Sequence, residues 1–200
     1  MIWMARSKPR EKDIKMPDVR LESSRVFIRP PLLEDWPQWA RVRSRNRNHL
    51  TPFEPKWPDR ALDKDYWAEH IARQTKYWQE GRGYYFLVFD KENYNLIGGV
   101  NLNNVARGAA QYASAGYWID EDCQGKGLMR ESLQLVFCYA FEVLKLHRIN
   151  ASCIPHNEKS VNLLKRLGFT EEGFARNYIK INGKWEDHML FGLNAEDFII

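Results

Sequence analysis

The chain has 200 residues, 44% of them apolar and 28% charged, with a net charge of +4 and three cysteines. That is enough for one domain with a full core, and no apolar run is long enough to cross a membrane. Cys123, Cys138 and Cys153 are odd in number and form no C-x-x-C pair, which excludes a disulfide framework and a zinc ribbon; the mild positive charge suits an anionic ligand but is too small to argue nucleic-acid binding.

Residues 1–16 mix Lys, Arg, Glu and Asp without an apolar h-region, so they read as a flexible extension and not a signal peptide. Residues 17–200 form the expected domain. Free thiols and the lack of a leader point to the cytoplasm. Residues 19–29 carry Leu21, Val26, Phe27 and Ile28 and predict a first strand, stopped by Pro30-Pro31. Residues 32–48 read as a helix, with Asp35 as its cap and Pro37 in the first turn. Arg41, Arg43, Arg45 and Arg47 crowd its second half. They read as a solvated face, or else as a patch for RNA or an acidic partner.

Residues 50–58 contain three prolines, which exclude regular structure and present Phe53, Glu54 and Trp57. A helix over 63–80 sets Trp67, Ile71 and Trp78 near one face, and Gly81 ends it. Residues 84–89 and 96–102 predict a hairpin, and 103–110 a loop. Residues 112–119 then lead into a glycine turn and a helix. Gly125 and Gly127 remove side chains where the backbone turns and something approaches closely. Met129, Leu133, Val136, Phe137, Ala140, Phe141 and Leu144 form one apolar stripe. The turn therefore stands at a helix N-terminus, where unpaired N–H groups and the dipole favour an anion such as a pyrophosphate. Lys126 and Arg130 add positive charge. A turn that serves packing alone is the alternative, and neither G-x-G-x-x-G nor G-x-x-x-x-G-K-[ST] is present.

Residues 147–154 predict another strand. Pro155 stops it, Asn157 caps a short helix through Arg166, and Gly168 with Phe169 closes that helix. Residues 174–181 and 185–193 flank Asn182-Gly183 as a final two-residue hairpin.

Three motifs in order, Gln124-x-x-Gly127-x-Met129, Asn157-x-x-Ser160 and Leu167-Gly168-Phe169, resemble the GNAT acyltransferases. The pyrophosphate loop of that family reads Q/R-x-x-G-x-G/A, and Met129 departs from its small last residue. The similarity runs over about 19–193. Within the superfamily it is strongest to N-terminal acetyltransferases of small-subunit ribosomal proteins. Pro52-Phe53-Glu54-Pro55, Ile97-Gly98-Gly99-Val100-Asn101, Asn104-Val105-Ala106-Arg107-Gly108 and Ile181-Asn182-Gly183-Lys184-Trp185 carry it.

The resemblance implies an α/β GNAT fold, a mixed twisted sheet whose parallel central strands, 112–119 and 147–154, splay apart, with flanking helices. Acetyl-CoA would lie in the splay, with no metal. Its pantetheine arm would run along Trp118 and Ile119. Its pyrophosphate would take N–H groups from Gln124, Gly125, Lys126, Gly127, Leu128, Met129 and Arg130. The implied reaction is direct acetyl transfer to the N-terminal α-amine of a protein, the N-terminal alanine of a small-subunit ribosomal protein, with ribosome association as a further expectation and no membrane partner.

Such a transfer needs a neutral amine, an outlet for its proton, oxyanion stabilisation and protonation of the leaving thiolate. Ser160 would donate to the sulfur, and Asn157 would bond the pantetheine or hold a water; helix capping is the alternative for each. Some enzymes of the superfamily carry a glutamate on the strand before this asparagine and a tyrosine on the helix after it. Ser152 and Leu164 stand there, and Ile179 stands where a related enzyme has a glutamate before its Asn-Gly turn. Glu54 is then the candidate base, or a carboxylate that orders its loop. His147 and His156 read as hydrogen-bonded structural groups, and His49, His70 and His188 as isolated. Phe53, Trp57, Trp67 and Trp78 include core residues and could line a slot for a peptide N-terminus. Two other functions stay open: transfer to a small-molecule amine, which an acidic cluster would favour and none is seen, and ribosome assembly with incidental acetylation.

Overall fold

The computed structural model describes residues 16–199. Most of the expected extension lies outside the described residues. Met16, its last residue, is buried against the core, where the Thr75 hydroxyl donates to its sulfur.

Eight strands form one sheet. They are β1 (Leu21–Glu22), β2 (Val26–Arg29), β3 (Tyr84–Asp90), β4 (Leu96–Ala106), β5 (Tyr112–Ile119), β6 (Arg148–Cys153), β7 (Thr170–Ile181) and β8 (Lys184–Asn194). Their order is β1-β2-β3-β4-β5-β6-β8-β7, antiparallel at every step except β5–β6. The predicted first strand is two short ones, because Ser23 turns the chain: its hydroxyl accepts from the Val26 N–H. The loop expected after residue 102 instead continues β4 through a register shift between Asn103 and Ala106, with Asn104 at φ 52°. That extra turn is a bulge, which sequence periodicity does not announce.

The helices are α1 (Trp36–Arg45), α2 (Arg47–Leu50), α3 (Lys64–Gln79), α4 (Leu128–Cys138), continued by a π-helical turn over Tyr139–Val143, and α5 (Glu158–Arg166). Successive strand residues face opposite sides. A side chain at Gly98 would meet Met129 of α4, whereas one at Gly99 would meet the Trp118 indole beneath α1 and α3. Helices thus cover both faces. The apolar stripe of α4 is buried as its spacing requires, with Leu133, Val136, Phe137 and Ala140 fully enclosed.

The single helix expected over 32–48 is broken. A 3-10 turn, Leu33–Asp35, precedes α1, and the chain kinks at Asn46. Asp35 does not cap α1. Its carboxylate accepts two hydrogen bonds from Arg29 and one from the Leu32 N–H. Asn46 is buried; its Nδ2 donates to the Val42 carbonyl and to Asp120, and its Oδ1 accepts from the Glu121 N–H. The helix breaks because this side chain ties it to the end of β5.

Candidate active site

The central strands pair over three positions only, Tyr112–Arg148, Ala113–Ile149 and Ser114–Asn150. Beyond them β5 keeps its bonds to β4 and turns its other edge to open space. Backbone groups on such an edge seek partners, and an extended ligand can supply them. The resulting cleft has a volume of about 910 Å³. Trp118, Ile119, Gln124, Gly125, Gly127, Leu128, Met129, Arg130, Asn157, Ser160 and Glu54 all line it; Lys126 stands beside it, exposed.

Gly125 and Gly127 adopt φ +71° and +79°, left-handed values that favour glycine. Gly127 is the N-cap residue of α4 and supplies no side-chain cap, so the first N–H groups of that helix have no partner within it. Such an end favours an anion. Arg25, which sequence reading passed over, braces the turn from the β1–β2 connection. Its Nε donates to Glu131 at 2.7 Å and its NH1 to the Lys126 carbonyl at 2.9 Å. Gln124 is clamped at both ends. Lys159 donates to its Oε1 at 2.6 Å, and its Nε2 lies 2.8 Å from His49 Nε2.

At the other end of the cleft, Asn157 Oδ1 accepts from the Ser160 backbone N–H at 3.2 Å. The cap is real, and it leaves the Ser160 hydroxyl free. The phenol of Tyr117 lies beside that hydroxyl, and burial pushes its pKa up, so it stays protonated. Tyr117 was not singled out from the sequence, because its place in an aromatic strand segment looks like packing alone.

A second cavity, of about 280 Å³, adjoins the cleft, and Glu54 and Trp118 line both. Its floor is the bare backbone of Gly99, where an added Cβ would stand 2.6 Å from the Trp118 indole nitrogen. Arg43 lies 5.0 Å from the Trp118 ring centre and 4.3 Å from that of Trp57. It holds the Glu54 carboxylate through two bonds of 2.7 and 2.5 Å, and Trp57 Nε1 adds a third donor at 2.7 Å. The Asn182 N–H, from the β7–β8 turn, donates to the Glu54 carbonyl. Glu54 is the only acid among the described residues that lines this cavity, and it orders the loop at its edge. Trp67 lines the same cavity, whereas Trp78 packs in the core and Phe53 stands over the cleft beside His156.

The arginines of α1 and α2 do not form one patch, although Arg41, Arg45 and Arg47 are exposed. Arg43 holds Glu54, Arg45 pairs with buried Asp120, Arg47 lies over Trp57, and among the described residues Arg41 and Arg47 have no ion pair. Alternate residues of a helix diverge by about 200°, so these side chains fan out to different partners. The histidines also differ from expectation. His147 and His156 are exposed, while His49 reaches Gln124 and His70 lines the second cavity. Among the described residues no cluster of His, Cys, Asp and Glu could hold a metal ion, and no helix is long and apolar enough to cross a membrane.

A splayed sheet with an uncapped glycine turn on one side and an aromatic cavity on the other defines an acyltransferase of the GNAT type. The family model for the acetyltransferase (GNAT) domain matches residues 25–170, and the chain belongs to that family. It is 36% identical, over 92% of its length and 94% of the relative's, to the [ribosomal protein uS5]-alanine N-acetyltransferase of Escherichia coli. The crystal structure of a ribosomal-protein-S5-alanine acetyltransferase from Vibrio fischeri superimposes with a TM-score of 0.84 at 35% identity, covering 92% of this chain and 100% of that one. Mycobacterium smegmatis RimJ in complex with CoA-disulfide gives a TM-score of 0.81 at 30% identity, covering 86% and 82%.

Proposed function

We propose that this protein transfers acetyl from acetyl-CoA to the N-terminal α-amine of a protein, with the N-terminal alanine of a small-subunit ribosomal protein as its substrate. The observation that carries the reading is the meeting of two cavities at Trp118 and Glu54, one beside the glycine turn and suited to an extended anionic ligand, the other lined by aromatic side chains. The relatives at 35–36% identity act on such an alanine, by their names.

Acetyl-CoA supplies the activated acyl group. The free edge of β5 beside Trp118 and Ile119 would bind the pantetheine arm and offer an N–H to the carbonyl oxygen, where charge develops. The turn from Gln124 to Arg130 would hold the pyrophosphate on unpaired N–H groups, with Lys126 and Arg130 nearby. Ser160 would donate a proton to the departing sulfur, with the Tyr117 phenol behind it; Asn157 would keep the helix start in place. Glu54, already bound by three donors, would position Arg43 and the loop and would not take the amine proton. Ordered water is the outlet for that proton.

The two other readings lose support. A small polyamine would want free carboxylates, and the one acid among the described residues lining the cavity, Glu54, is paired. A ribosome-assembly role rested on the arginine cluster, of which Arg43 and Arg45 are ion-paired within the molecule. Ribosome association remains an expectation drawn from the relatives. The direct test is mass spectrometry of protein N-termini in cells with and without this protein. The expected result is loss of acetylation at one or a few ribosomal N-terminal alanines. An unchanged N-terminal acetylome, with the purified protein inactive on alanine-initiated peptides, would overturn the reading.

A further inference from the structure

Among the described residues two buried polar groups have no partner, Arg43 Nε and one end of the Gln74 amide, and both residues line the aromatic cavity. Arg43 Nε is a donor. The neighbours of Gln74 decide what its free end is. An NH2 of Arg73 lies 2.7 Å from His70 Nδ1, and a guanidinium only donates, so Nδ1 accepts. Burial, then the charges of Arg73 and Arg43, push the His70 pKa down to about 4, so the ring is neutral at pH 7 and carries its one proton on Nε2. The Gln74 amide lies 2.7 Å from that nitrogen. The amide atom facing an N–H must be the oxygen, since a half turn exchanges oxygen and nitrogen and the network decides between them. The free end is therefore the NH2, another donor, on a side chain only 8% exposed.

Arg73 thus fixes His70, His70 fixes Gln74, and two enclosed donors on residues that line the cavity stay unmet among the described residues. Leaving a buried donor unmet is more costly than the net gain from an ordinary hydrogen bond. A ligand that completes this cavity brings oxygen acceptors into it. An N-terminal peptide does so with its backbone carbonyls whatever its side chains; a polyamine brings only more donors.

We infer that Gln74, positioned by His70 and Arg73, is a specificity-determining residue whose NH2 donates to one of the first two peptide carbonyls of the acceptor when that acceptor fills the cavity. The site thereby selects an amine followed by a peptide over an amine without one. This rests on the acetyl-transfer reading above.

The test uses the full chain and three acceptors: an alanine-initiated peptide, and the same peptide with its first or its second peptide bond replaced by an alkene isostere. In the native protein one isostere is expected to lose about tenfold to a hundredfold in kcat/KM, the scale of an unmet buried hydrogen-bond group. Gln74→Met removes the donor at similar volume. Gln74→Glu keeps an oxygen toward His70 and replaces the NH2 with oxygen. In either variant the ratio of peptide to isostere should fall to within about twofold, while acetyl-CoA still raises Tm. A ratio unchanged in both variants, including an equal loss on all acceptors, would overturn the assignment and leave the acetyl-transfer reading standing. A native protein that acetylates none of the three peptides would overturn both.

Discussion

Ser160 shows how a structure separates two roles that coincide in the sequence. Its backbone N–H completes the Asn157 cap, whereas its hydroxyl faces the cleft beside the Tyr117 phenol. Ser160→Ala should therefore leave helix α5 intact and act on turnover alone. Help from a general acid is typically worth roughly 10²–10⁴-fold, and the neighbouring phenol, kept protonated by burial, can recover part of it. The expected loss in kcat is about 10- to 100-fold, with acetyl-CoA affinity changed less than about threefold. Adding Tyr117→Phe should deepen the loss. Stopped-flow or steady-state rates, set beside calorimetric binding of acetyl-CoA, decide the matter. An unaltered kcat would assign protonation of the sulfur to water.

The glycine turn and helix α4 are the elements that convert this sheet into a ligand site. Gly127 is both the N-cap of α4 and left-handed, and a Cβ there would stand 3.2 Å from an NH2 of Arg25, next to the uncapped helix start. Gly127→Glu places bulk and negative charge there. Strain at a positive φ costs about 1–2 kcal/mol for a residue with a Cβ, which a domain of ordinary stability survives. The variant should still melt cooperatively, a few degrees lower, yet show no rise in Tm with acetyl-CoA. If acetyl-CoA stabilised it as it does the native chain, the pyrophosphate would not bind this turn.

This was also the most legible part of the sequence, because its signals are local. Glycines at fixed spacing, an apolar stripe at helical period and an asparagine cap each depend on neighbours in the chain. Asn182-Gly183 was legible for the same reason, and both residues take the positive φ their two-residue turn demands. The break at Asn46, the pairing of Arg45 with Asp120 and the use of Arg43 to hold Glu54 were not. They join residues up to 75 positions apart, and a buried polar side chain looks in sequence like an exposed one. His70 and Gln74 carried a faint signal, since with Trp67 they repeat at steps of three and four along one face of α3. That spacing marks a face but does not say that a cavity lies before it.

The whole molecule sets two cavities on either side of one strand residue, Trp118. Among the described residues, the one carboxylate that lines the aromatic cavity is ion-paired with Arg43 and bonded by Trp57. A site so built depends on an amine that is already neutral. An α-amine has an unperturbed pKa of about 7.7–8.0, so roughly a tenth or more of it is neutral at pH 7; a lysine, at about 10.4, is neutral to only about 0.04%. That difference alone is a few hundredfold. The unmet donor on Gln74 adds a preference for a peptide carbonyl close behind the amine. One peptide in two forms tests this, with a free N-terminal alanine or with that end blocked and one internal lysine. At pH 7 the free N-terminus should react at least about a hundredfold faster. The sign of the pH dependence follows. Above pH 8 the α-amine is mostly neutral and its rate levels off, while the neutral share of lysine keeps rising about tenfold per pH unit until about pH 10. The gap should therefore narrow steadily from pH 7 to pH 10. Comparable rates at pH 7, or a gap that stays constant across that range, would mean that the protein deprotonates its acceptor with a base of its own.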